Sequence, residues 1–160
     1  MEKFELSLEN AKKNITVADH MINVTFKIVN DPKLLLSIVD RIKNALSYSV
    51  SSIVQYERMY KRVPPFQDNF DSMFNIFKTR ITRRYNINIE YITLIHDVND
   101  ILKQHKESPV EFRKDETFVI CNGNYRTRVI TADHIKKYLE KAKLFIKETE
   151  NMVKINGRAN

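Results

Sequence analysis

Two glycines and four prolines are spread over 160 residues, and between them apolar side chains recur every three or four positions for many turns at a time. Glycine and proline are the strongest interrupters of regular backbone, so a chain with so few of them is committed to long helices. The same scarcity removes whole classes of function. A phosphate-cradling loop, a dinucleotide fingerprint and a nucleophile elbow each need several glycines at fixed spacing.

The apolar stripe Leu8, Ala11, Ile15, Ala18, Ile22, Thr25 and Val29 predicts a first helix over residues 6–30. It stops at Asn30-Asp31-Pro32, a tripeptide that also starts the next helix, because proline fits a first helical turn and Asn or Asp accepts bonds from the free amides there. Leu35, Ile38, Ile42, Ala45, Ser49, Ile53, Tyr56 and Tyr60 carry a second helix up to Pro64-Pro65. The first two helices should form an antiparallel hairpin. Within the second, the run from Ala45 to Ser52 is rich in small side chains and implies either a tight helix crossing or a serine-lined groove. A third helix is expected at about 67–86 on Phe70, Met73 or Phe74, Phe77, Ile81 and Tyr85. A fourth, at about 88–106, uses Tyr91, Leu94 or Ile95, Val98, Ile101 or Leu102 and His105.

Between Ser108 and Ile130 the period becomes extended. Residues 117–121 and 125–130 flank Asn122-Gly123-Asn124, and Asn-Gly favours a two-residue hairpin turn because both positions need positive φ. A lone hairpin is marginal in water and must lie on the helices. Thr131 should cap a last helix at about 132–153. The expected fold is mainly α: a five-helix bundle of long antiparallel helices with one β-hairpin at about 117–130 before the last helix. Residues 1–155 form a single domain and 156–160 a frayed tail.

Hydrophobic residues make up 42% and charged residues 29%, enough for a core and too apolar for disorder. A lone cysteine, Cys121, cannot form an intrachain disulfide, which fits a reducing, cytoplasmic setting. The N-terminal residues lack a signal-peptide pattern, and no apolar run approaches the ~20 residues that cross a bilayer, so no membrane partner is expected. The Asn-x-Thr triplets at Asn14 and Asn23 fall inside a helical pattern and read as chance.

The net charge of +7 is uneven. Residues 56–88 carry seven Lys and Arg against three Asp and Glu, whereas 89–111 are acidic. Arg80, Arg83 and Arg84 share a helical face, Lys61-Arg62 precede the proline pair, and Arg126 and Arg128 lie on the hairpin. Convergence of these groups would suit phosphates, since neutralising several together gives affinity and steep salt dependence. The alternative is pairing with Glu57, Asp68, Asp71 or the acidic fourth helix. Tyr85 and Tyr125 sit beside arginines, as a stacking surface for single strands requires. Metal chemistry is not expected, because His96 and Asp100 share a face without a third ligand at a diagnostic spacing, and no cofactor is implied. His105 is placed to interact with the helix C-terminal carbonyls, and His20 reads as a polar-face residue.

Arg128 and His134 form an Arg-x5-His spacing. In this spacing, in size and in helical layout the chain resembles HEPN-type bundles, and its Ser108–Asp115 stretch is similar to Ser-Pro-x-Glu-Phe segments of small archaeal proteins. The resemblance implies phosphate contact for Arg128 and proton transfer for His134. Two departures stand out: Val129 follows Arg128 where the family usually has a polar residue, and Arg128 lies on an expected strand. The leading expectation is a non-catalytic module that presents Arg80, Arg83, Arg84, Tyr85, Tyr125, Arg126 and Arg128 to nucleic acid or an acidic protein, with a second copy of the chain as a candidate partner. The rivals are a metal-independent HEPN-like ribonuclease using Arg128 and His134, and a structural interaction subunit.

Overall fold

The computed structural model describes the backbone of residues 1–108, 110–121, 124 and 126–158, and the side chains of these residues as far as 154. It is mainly helical. Helix α1 (Lys3–His20) continues through a π-helical segment, Met21–Thr25, into a final turn, Phe26–Val29. Asn30 ends it in the left-handed conformation (φ 52°), its N–H reaching the Phe26 carbonyl at 2.8 Å. Asp31 Oδ1 then accepts from the Lys33 N–H at 3.0 Å, and α2 (Leu34–Met59) begins. The Asn-Asp-Pro junction therefore works as local chemistry dictates.

The π segment explains one departure from the expected core. Leu8, Ala11, Ile15, Ala18 and Ile22 are buried as their stripe requires, but Val29 is exposed, and Phe26, one position beyond the Thr25 of the stripe, packs on the core. A π turn holds one residue more than an α turn, so the helix beyond it is rotated by about 100° relative to an unbroken 3.6-residue repeat.

Helix α2 is the centre of the bundle and is lined by Leu35, Ile38, Ile42, Ala45, Leu46, Val50 and Ile53, all buried. Each large apolar side chain so buried contributes roughly 1.5–3 kcal/mol of transfer free energy. The small-residue run is a close crossing with α1. Ser52 Oγ donates to the Phe4 carbonyl at 2.8 Å, and Ser7 and Ser51 hydroxyls meet at 3.2 Å. Ser51 and Ser52 are spent on that contact, and Ser49 is fully buried, so the run lines no groove.

Helix α3 (Phe70–Ile76) also passes through a π segment, Phe77–Ile81, before ending at Thr82–Arg84. Asn69 caps it by accepting from the Ser72 N–H at 2.9 Å. Its rings Phe74 and Phe77 stack, and Phe77 meets Phe145 edge-on at 5.7 Å. Helix α4 (Glu90–Glu107) turns Tyr91, Leu94, Ile95, Val98 and Ile101 inward. The last helix, α5 (Ala132–Arg158), starts at the cap expected of it, with Thr131 Oγ1 accepting from the His134 N–H at 3.2 Å, and runs past the stop its stripe suggested.

Before α5 the described residues make three strands, not two. Strands β1 (Val110–Lys114), β2 (Thr117–Cys121) and β3 (Thr127–Ile130) form an antiparallel sheet in that order. The β1–β2 turn is Asp115-Glu116, with Asp115 left-handed at φ 57° and Lys114 opposite Thr117. Asp tolerates that conformation better than most residues, so the turn dispenses with glycine. The expected turn at Asn122-Gly123 lies outside the described residues. Phe118, Ile120 and Ile130 enter the core, while Phe112 and Val129 stay exposed on the other face on either side of the buried Val119. No helix among the described residues is long and apolar enough to cross a membrane.

Candidate nucleic-acid interface

The buried stripe of α2 ends on an ionisable residue. Glu57 follows Ile53 by one turn, and its side chain is 0% exposed. A carboxylate there must be paired, because burial of an isolated charge is prohibitive. Its Oε2 accepts from Arg84 Nη1 at 3.1 Å and Arg62 Nη1 at 3.4 Å. Arg84 reaches 3.4 Å from the Arg62 carbonyl with its other terminal nitrogen. The two side chains are 44% and 38% exposed, so each guanidinium engages Glu57 and still keeps part of its surface in solvent.

Local backbone geometry brings Arg62 to this position. At the end of α2 the Arg62 N–H bonds the Glu57 carbonyl and the Lys61 N–H bonds the Arg58 carbonyl, both at 2.9 Å, with Lys61 left-handed at φ 57°. This is the Schellman pattern of helix termination, whose left-handed position is normally glycine. The other three described non-glycine residues with positive φ are Asn30, Asn86 and Asp115, residue types that accept it. Lys61 does so at a cost, placing a long cation where glycine would serve the backbone better.

Aromatic rings fill the spaces between the charges. The Arg62 guanidinium lies 5.0 Å from the Tyr60 ring centroid and the Arg58 guanidinium 5.0 Å from that of Phe66. Tyr85, half-buried against the core, approaches Glu57 with its hydroxyl; burial first and the neighbouring carboxylate second push its pKa up to about 12. Tyr56 is displaced upward too, chiefly by burial, and its hydroxyl is buried without a hydrogen bond. Glu57 Oε1 likewise has no hydrogen bond of ordinary geometry. One carboxylate therefore faces two guanidiniums, with exposed Arg58 and Lys61 beside them on the same turn and exposed Arg80 and Arg83 at the end of α3.

Only part of the basic face read from the sequence assembles here. Arg84 and Tyr85 join the Glu57 cluster, with Tyr85 serving as a packed wall and not as an open stacking surface. Arg128 does something else. It lies on the core-facing side of β3 and donates to Asp100 Oδ2 on α4 at 2.9 Å, with Gln104 Oε1 at 3.5 Å. On the opposite side of Ile120, Glu111 meets His105 Nδ1 at 2.6 Å. These two pairs clamp the sheet to α4, and His105 is engaged there and not with the helix-end carbonyls. The His134 ring stacks on Tyr138 at 5.3 Å and lines a depression of about 520 Å³ with Asp97, Lys137 and Lys141. Arg126 is exposed ahead of β3, and Tyr125 lies outside the described residues. His96 is an exposed edge partner of Phe74, and among the described residues no three His, Cys, Asp or Glu side chains gather as metal ligands would.

Two of the residues that organise the cluster were poorly marked in the sequence. Glu57 stood only as one of several candidate partners for the arginines, although an acidic residue on a core stripe is itself a signal that a cation must reach it. Arg62 was marked only by its place before the proline pair. Comparison of the chain with family models, curated proteins and solved structures finds no match.

Proposed function

We propose that the chain is a non-catalytic nucleic-acid-binding module whose contact surface is the basic end built on Glu57. The observation that carries the reading is the sharing of one fully buried carboxylate by two half-exposed guanidiniums, Arg62 and Arg84. A carboxylate so placed fixes both guanidiniums without neutralising the pair, and the fixed fork geometry of arginine suits phosphate oxygens. Lys61 in a strained backbone conformation supports the same reading, because strain of this kind persists where a side chain has a use. Arg58, Arg80 and Arg83 extend the positive surface, and several phosphates engaged together would supply the affinity.

The test is binding of a short single-stranded RNA, followed by fluorescence anisotropy over a series of salt concentrations. The logarithm of the association constant should fall linearly with the logarithm of salt concentration, and Arg83→Ala should reduce the slope by about 0.7, the value for one phosphate contact on a single strand. An affinity flat in salt overturns the proposal. So does an acidic peptide that competes at the same concentration as the RNA, which would make the surface a docking site for an acidic protein.

A further inference from the structure

Just beyond Arg62 in the chain, and with Arg58 over the Phe66 ring that forms part of its wall, the surface dips into a shallow, mainly apolar depression of about 530 Å³. Its walls are Pro64, Pro65 and Phe66 from the segment after α2, and Ile76 from α3. Ser72 and the exposed Gln67 and Asn75 complete its lining, with Gln67 Oε1 accepting from Asn69 Nδ2 at 3.2 Å. This combination is unlike the rest of the basic end. Flat apolar surface with amide groups at its edge matches a nucleobase, which has apolar faces and a rim of donors and acceptors, and Asn and Gln side chains are the amide partners of such rims.

Resting on the phosphate-binding reading above, we propose that this depression is a subsite for one unstacked base of a single strand, whose backbone runs over Arg62 and Arg84. The placement fits that path. Pro64 follows Arg62 by two residues, and Arg84 lies nine positions after Asn75 on α3, at most about 14 Å of helix. A base in the depression would thus belong to a nucleotide one or two positions from the phosphate on the arginine pair. The walls are also preorganised. Both prolines have fixed φ, and the Phe66 ring is held under the Arg58 guanidinium at 5.0 Å, so little ordering remains to be done on binding. A duplex cannot use the site, because its bases are stacked and paired.

The experiment compares three ligands on the full chain: a short oligoadenylate, a strand of the same length lacking bases, and a blunt duplex. Oligoadenylate should bind about tenfold more tightly than the abasic strand, the gain expected of one stacked base. Asn75→Ala should weaken oligoadenylate about threefold, as loss of one modest hydrogen bond does, and leave the abasic strand unchanged. Phe66→Ala should abolish the preference altogether. Should that variant fail to fold, the exposed Asn75→Ala decides. Equal binding of oligoadenylate and abasic strand, or a duplex bound as tightly as oligoadenylate, overturns the subsite and leaves the arginine surface standing. Failure of all three ligands to bind overturns both.

Discussion

Replacing Glu57 by glutamine preserves the shape of the side chain and deletes the charge on which two arginines converge. The structure sets the size of the effect. A hydrogen bond to a charged partner is worth about 1.5–3 kcal/mol, and Glu57 accepts one at 3.1 Å and a longer one at 3.4 Å. Both guanidiniums are partly exposed and can rehydrate, so the penalty stays below the ~3–5 kcal/mol seen when a buried charge is stranded, and screening reduces it further. A net loss of about 2 kcal/mol follows for Glu57→Gln. With a urea dependence of ~1–3 kcal/mol per molar, the unfolding midpoint should fall by about 1 M with no change in far-ultraviolet signal before the transition. Glu57→Leu should be no more harmful, since it removes the buried carboxylate and its desolvation cost together. A midpoint unmoved by Glu57→Gln, or a Leu variant far less stable than the Gln variant, would refute the view that charge pairing is what holds this residue in the core.

Other consequences are equally measurable. Ser49 is fully buried and its hydroxyl has no hydrogen bond, so Ser49→Ala should raise stability by about 1 kcal/mol in urea unfolding; a loss would mean that a partner is engaged. Phe77 is fully buried between Phe74 and Phe145, and Phe77→Ala should cost about 3–5 kcal/mol in the same assay. Tyr85 and Tyr91 both have pKa values pushed up to about 12, each by burial first and then by a carboxylate, Glu57 or Glu148. The unfolded chain releases these protons near pH 10 and the folded chain holds them, so their contribution is complete below pH 10 and is lost as pH rises towards 12. Tyrosinate absorbance should show three late-titrating groups, since Tyr56 is displaced upward as well, and ordinary titration of all seven tyrosines would contradict the burial seen here.

The helices could be read from the sequence because their determinants are local: periodic apolar residues, the Asn30-Asp31-Pro32 junction and the Thr131 cap all act within a few positions. Strand β1 could not. Val110–Lys114 is short and half charged, and its turn at Asp115-Glu116 lacks the glycine that usually marks a hairpin. The π segments were equally hidden, since a one-residue slip leaves the spacing within each half unchanged and shows only in Phe26 packing inward one position beyond Thr25 while Val29 turns outward. The site was legible in its charge but not in its partners. Arg84 finds Glu57 from 27 positions away and Arg128 finds Asp100 from 28, and only the packing of helices against one another, or against the sheet, decides which arginine turns to solvent.

The π segments give α1 and α3 a latitude that α2 lacks. An extra residue already wound into a helix can be lost, and the rod merely regains ordinary pitch while its distal end swivels by about 100°. Excising one residue within 21–25 should therefore leave a folded protein whose last turn faces a new direction. The same excision near the middle of α2 would swing half of the central rod's oily side outward, and the chain would fail to assemble. Length variation in sequences of this architecture should accordingly concentrate at the π segments and spare the central rod.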